Sequence, residues 1–165
     1  MKKIYIIGGA RSGKSFFSNK LSERAGIPHF DLDKIVFIKA LAEERDEESR
    51  NKELEKILDH NDWIIEGVYT EKWILPALAM ADIIIWLDTP PIIKLYRFLR
   101  QIVLNKSNRK NFYGRGKLAM GLKYKKWDRS QQAYLNLLQP FRSKTVILKS
   151  KADINNFLKN NFRRD

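Results

Sequence analysis

Residues 8–15 read Gly-Gly-Ala-Arg-Ser-Gly-Lys-Ser and meet the pattern G-x-x-x-x-G-K-[ST] at every fixed position. The flanks agree with it. Lys3-Ile4-Tyr5-Ile6-Ile7 is an apolar run suited to a buried strand, and Phe16 to Ala25 carries apolar residues at helical spacing. A strand, a glycine turn and a helix in that order predict a phosphate-binding loop of the Walker A kind. Glycines let the backbone wrap an anion with no β-carbon in the way, and a helix start offers free N–H groups and the positive end of its dipole. A plain glycine turn would not require all the fixed positions and both flanks at once. The nucleotide cradle is therefore assigned to Gly8, Gly9, Ala10, Arg11, Ser12, Gly13, Lys14, Ser15 and Phe16, for ATP as ligand. Lys14 would reach the β- and γ-phosphates, and Ser15 would offer its hydroxyl to Mg²⁺.

The 165 residues suit one domain, residues 1–165, long enough to bury roughly two thirds of the unfolded surface. With no cysteine, neither a disulfide framework nor a thiolate metal site is available, which leaves oxygen ligands. A cleaved signal peptide would destroy the loop, and no run approaches 18 apolar residues, so a cytoplasmic protein without a membrane partner is expected. Charge is uneven. Residues 1–93 hold 13 Lys+Arg against 16 Asp+Glu, or −3, while residues 94–165 hold 19 against 3, or +16. Such a field attracts polyphosphates; it also allows nucleic acid without requiring it.

Beyond the first helix, Gly26 and Pro28 mark a turn, and His29 to Asp33 reads as a second strand whose two acids, Asp31 and Asp33, share one side. An acid at a strand's carboxyl end faces the crevice where open α/β sheets bind ligands, so Asp33 could orient an acceptor hydroxyl or hold metal-bound water. The alternative is a helix cap for Lys34-Ile35-Val36. Residues 43–58 read as a charged helix with a solvated face. Trp63-Ile64-Ile65 forms a third buried strand closing on Glu66, as a Walker B element does, and Ala81 to Asp88 forms a fourth. Glu66 is preferred over Asp88 as the metal-side acid, because Thr89-Pro90-Pro91 reads as a helix start that Asp88 or Thr89 would cap.

A helix over 92–104 carries Arg97 and Arg100. Residues 105–117 are polar and basic and predict a lid, in which Arg109 or Arg115 would neutralise a transferring phosphoryl group; a solvated basic loop is the alternative. Residues 118–138 read as a helix whose aromatics fit a core better than base stacking. Lys144 to Leu148 is the fifth strand, and Lys151 to Phe162 a closing helix.

This order of elements resembles the adenylate-kinase-like P-loop kinases, which include nucleoside monophosphate, shikimate and gluconate kinases. Within that group the likeness is greatest to bacterial DNA topology modulation proteins. It is carried by Ile6 to Ser15, Leu32-Asp33-Lys34, Trp63 to Tyr69, Ala81 to Asp88 and Val146 to Ser150. The resemblance implies a three-layer α/β fold with a five-stranded parallel sheet in the order 2-3-1-4-5. It further implies that Asp33 faces the phosphoryl acceptor, that Glu66 is the metal-side acid, and that Arg97, nine residues past Asp88, flanks the adenine. The chain departs from its relatives at Val68 and Thr70, where they carry Asn and Arg, and its lid lacks the Asp-Asp pair of adenylate kinases.

The expected activity is transfer of the γ-phosphoryl of ATP-Mg²⁺ to a small acceptor, a nucleotide or nucleoside among the candidates. The alternative is a nucleotide-binding regulator that binds DNA and affects its topology.

Overall fold

The computed structural model describes residues 2–39, 43–104 and 131–162. The elements are β1 (Lys3–Ile7), α1 (Lys14–Ala25), β2 (His29–Asp31), α2 (Leu32–Val36), β3 (Phe37–Lys39), β4 (Glu43–Glu44), α3 (Glu47–Leu58) and β5 (Trp63–Gly67). They continue with a 3₁₀ turn (Lys72–Ile74), α4 (Leu75–Met80), β6 (Ile83–Leu87), α5 (Pro91–Leu104), α6 (Gln131–Leu138), a second 3₁₀ segment (Gln139–Lys144), β7 (Thr145–Leu148) and α7 (Lys151–Asn161).

Five strands form one sheet in the order β2-β5-β1-β6-β7, every neighbouring pair parallel. Counted over these five alone, that is the expected 2-3-1-4-5. Parallel strands are buried on both faces, which is why β1, β5 and β6 are continuous apolar runs. Alternate residues face opposite layers. Tyr5, Ile7, Trp63, Ile65, Ile84 and Trp86 pack with residues of α2, α3, α4 and α6, including Leu32, Leu54, Leu78 and Tyr134. Ile4, Ile6, Ile64, Ile85 and Leu87 pack on the other side with Phe17 and Leu21 of α1 and Phe157 and Leu158 of α7. The three-layer α/β architecture follows.

Two expectations need correction. The second strand stops at Asp31, because its carboxylate accepts the Asp33 N–H at 2.9 Å and caps α2. Asp33 thus lies in the first turn of a helix rather than on a strand beside Asp31, and the cap is Asp31. Residues 43–58 are not one helix: Glu43–Glu44 pair antiparallel with Phe37–Lys39, and α3 starts only after Asp46, which accepts the Ser49 N–H at 2.9 Å.

Candidate functional site

Parallel strands end at the same edge, and four of them deliver the candidate residues there. β1 runs into the glycine loop, β2 into Asp31 and Asp33, β5 into Glu66 and Tyr69, and β6 into Asp88 and Thr89.

Two glycines of the loop have distinct physical reasons. Gly13 precedes α1 with φ +95°, a left-handed conformation that L side chains seldom adopt. At Gly8 a β-carbon would lie 2.7 Å from the carbonyl oxygen of Leu87, so the loop packs on β6 only without a side chain there. Arg11 carries φ +61° without being glycine. The backbone of Arg11 and Ser12 is held from outside: Thr89 Oγ1 donates to Ser12 O at 2.9 Å, and Arg97 Nη1 donates to Ser12 O at 2.7 Å and to Arg11 O at 3.0 Å. Ser12 and Thr89 are buried.

Lys14 folds back over the loop, 8% exposed, with Nζ 3.2 Å from Gly9 O. This contact holds the ammonium against the loop backbone. Ser15 is exposed in the first turn of α1, and Phe16 beside it is 76% exposed. Ala10 is exposed at the crest of the loop.

The acids divide between two sides of the sheet. Glu66 alternates with Ile65 and so shares the α1 face with Ile64. It is 2% exposed and stands opposite Ile6 of β1 and Asp31 of β2. His29 Nε2 lies 3.4 Å from Glu66 Oε1 without hydrogen-bond geometry, while His29 Nδ1 meets Asn19 Oδ1 at 3.1 Å. Asn19 and Ser15 are four residues apart on α1 and share a helix face. A buried carboxylate oxygen without a hydrogen bond suits the water shell of a divalent cation.

Asp33 belongs to the other side. Tyr69, 1% exposed, donates its hydroxyl to Asp33 Oδ1 at 2.7 Å, which fixes the carboxylate. Burial raises the Asp31 carboxyl above the usual carboxylate range, opposed by the hydrogen bond from the Asp33 amide and reinforced by the Asp33 and Glu66 charges. Gly67 has its own packing reason: a β-carbon there would lie 2.7 Å from Leu32 Cδ1, and Leu32 is the residue that seats α2 against β5.

The loop, Lys14, Asp33, Glu66 and Arg97 are thus gathered at one edge. Arg97 is found on the loop backbone. Arg109, Arg115 and the proposed 105–117 lid lie outside the described residues. Asp88 accepts a hydrogen bond from Gln131 Nε2 at 3.3 Å, and Thr89 spends its hydroxyl on Ser12 rather than on a helix cap. Sequence reading missed Thr89 as a loop contact, Tyr69 as the partner of Asp33, and His29 as the neighbour of Glu66. Tyr69 alone carried a signal, lying three residues beyond the acid that ends its strand.

Comparison with known proteins supports this architecture. A shikimate kinase from Bacteroides thetaiotaomicron superposes with a TM-score of 0.53 at 14% identity, covering 95% of this chain and 94% of its own. A shikimate kinase from Acinetobacter baumannii, solved in complex with shikimate, gives 0.51 at 18% identity over 99% and 96%. A sugar kinase from Janibacter sp. HTCC2649 gives 0.52 at 13% identity over 96% and 93%. The chain has the three-layer α/β fold of these P-loop proteins. No protein-family model matches the chain, and no curated protein matches it in sequence. Among the described residues no helix is long and apolar enough to cross a membrane.

Proposed function

We propose that this chain is a P-loop kinase that transfers the γ-phosphoryl of ATP-Mg²⁺ to a hydroxyl of a small acceptor. One observation carries the reading: a complete phosphate loop with its lysine folded inward stands at the same sheet edge as an aspartate fixed by a buried tyrosine. Phosphoryl transfer asks a protein mainly for positioning and for charge placed where charge develops. Lys14 would bear on the transferring group, and Asp33, oriented by Tyr69, would accept or direct the acceptor's hydroxyl proton. Ser15 and, through water, Glu66 would hold Mg²⁺, which when bound neutralises phosphate oxygens. Arg109 or Arg115 would screen the phosphates from solvent. Similar folds include shikimate and sugar kinases, which makes hydroxy acids and sugars acceptor classes worth assaying beside nucleosides and nucleotides.

The alternative, a nucleotide-switched regulator that binds DNA, draws on the +16 charge of residues 94–165. Two described members of that charge, Lys94 and Arg97, turn onto the phosphate loop, which favours a polyphosphate as the anion. The deciding assay is ADP release from ATP-Mg²⁺ against pools of nucleosides, nucleoside monophosphates, sugars and small hydroxy acids, with Lys14→Ala as control. Acceptor-dependent release lost in the mutant supports the kinase. ATP binding with no pool raising turnover, together with a DNA affinity that falls steeply with salt, would support the regulator instead.

A further inference from the structure

Two of the three cations of helix α5 turn toward the loop. Lys94 and Arg97, one turn apart, point at the phosphate loop, while Ile92, Leu95, Tyr96 and Leu99 are exposed. The Arg97 guanidinium is committed to the carbonyls of Arg11 and Ser12. Lys94 is not so committed: it is half-buried, and among the described residues no carbonyl or carboxylate takes its ammonium.

That ammonium lies over Gly9. A β-carbon built on Gly9 would come within 3.3 Å of Lys94 Nζ and 3.9 Å of its Cε. Gly9 fills one of the four positions the loop pattern leaves free, and its φ is not positive, so neither the pattern nor the backbone asks for glycine there. The absence of a side chain there leaves room for the Lys94 ammonium to lie close over the loop. Lys14 locates this point along a bound polyphosphate, because its own Nζ lies 3.2 Å from Gly9 O and the loop lysine serves the β- and γ-phosphates. One glycine therefore has an ammonium at its carbonyl and another beside its α-carbon. Like charges held together call for an anion between them, and the terminal phosphate is the most highly charged group a nucleotide brings there.

We propose that Lys94 is a second phosphate lysine, delivered from α5 onto the terminal phosphate of a bound triphosphate. The inference rests on the loop being a polyphosphate site, as the kinase reading holds. It gives the chain a way to prefer ATP over ADP and AMP, and it places a cation where charge spreads over the three oxygens of a transferring phosphoryl group.

The test is calorimetric titration of the full chain with inorganic tripolyphosphate, ATP, ADP and AMP, for wild type, Lys94→Met, Lys94→Gln, Lys94→Arg and Lys14→Ala. One charge-assisted contact predicts that Lys94→Met weakens ATP and tripolyphosphate about tenfold and leaves ADP and AMP within about twofold. Lys94→Arg should restore most of the loss, and Lys94→Gln, which keeps a polar end on the half-buried stem, should reproduce it even where Lys94→Met fails to fold. Equal weakening of all three nucleotides, or none, would overturn the proposal. Tripolyphosphate separates the two readings. A wild type that binds it but not ATP overturns the nucleotide reading and leaves Lys94 to be judged on tripolyphosphate; a wild type that binds neither overturns both.

Discussion

Arg97 donates to the carbonyl of Ser12 across 2.7 Å and 85 residues of chain, and so ties α5 to the phosphate loop. The same nitrogen reaches Arg11 O, whose residue holds a left-handed φ of +61° at a cost of about 1 kcal/mol for a non-glycine residue. This contact separates two roles for Arg97. A residue flanking only the adenine would leave tripolyphosphate binding untouched when removed, whereas a residue bracing the loop would not. Arg97→Ala is expected to weaken ATP and tripolyphosphate alike, by about tenfold. Unchanged tripolyphosphate affinity beside weakened ATP would return Arg97 to the base.

Tyr69→Phe removes one hydroxyl and keeps a buried ring that packs edge-on against Trp73 at 5.2 Å between centroids. If Tyr69 positions Asp33 for an acceptor, acceptor-dependent turnover should fall on the order of tenfold while ATP affinity stays within about twofold. The lost hydrogen bond should cost stability only about 1 kcal/mol. A parallel fall in ATP affinity would instead mark the pair as part of the general packing. Steady-state kinetics with ATP and acceptor varied in turn, beside a thermal melt, distinguishes these outcomes.

The features legible in the sequence were those whose cause is local. The loop is read from fixed spacing, and β1, β5 and β6 from apolar runs that only a doubly covered parallel strand requires. Asp31 and Asp33 misled for a physical reason: Phe30-Asp31-Leu32-Asp33 alternates at period 2, as a half-buried strand does, yet the Asp31 side chain turns the backbone into α2. Glu43–Glu44 carries none of the β-branched or aromatic residues by which a strand is known, so its pairing with Phe37–Lys39 could not be anticipated. Thr89 and Lys94 owe their places to a loop about 80 residues earlier. Nothing in their neighbours along the chain records that meeting.

Asp31 predicts a pH dependence of stability with an unusual sign. Its carboxyl is raised above the ordinary value, chiefly by burial, so the folded state holds this proton to higher pH than the unfolded state does. Stability from this group is full below the unfolded value and is lost as pH rises through the folded one. Asp46 and Asp153 act oppositely, because hydrogen bonds from helix-start amides lower them, and their contribution is lost as pH falls. The difference between Asp31→Asn and wild type isolates Asp31, since asparagine can still cap α2. The mutant should gain stability relative to wild type as pH rises from about 4 toward neutrality. Chemical denaturation at a series of pH values measures it, and a flat difference curve would contradict the shift.

Glu66 offers the sharpest separation of function from packing. Its carboxylate is 2% exposed beneath α1, with Oε1 lacking any hydrogen bond and His29 Nε2 at 3.4 Å. Burying a charged group so poorly matched costs stability unless something compensates. A place in the water shell of Mg²⁺ would supply that compensation. Glu66→Gln keeps the shape and removes the charge, so it is expected to melt at the same temperature as wild type or higher. It should also raise the Mg²⁺ concentration for half-maximal ADP release by about tenfold, with metal-free ATP binding within about twofold, as loss of one charge-assisted contact requires. Magnesium titrations of turnover beside a thermal melt test both halves at once. A lower melting temperature with unchanged Mg²⁺ dependence would make Glu66 a structural partner of His29, and the metal-side acid would then have to be sought at Asp31 or Asp88.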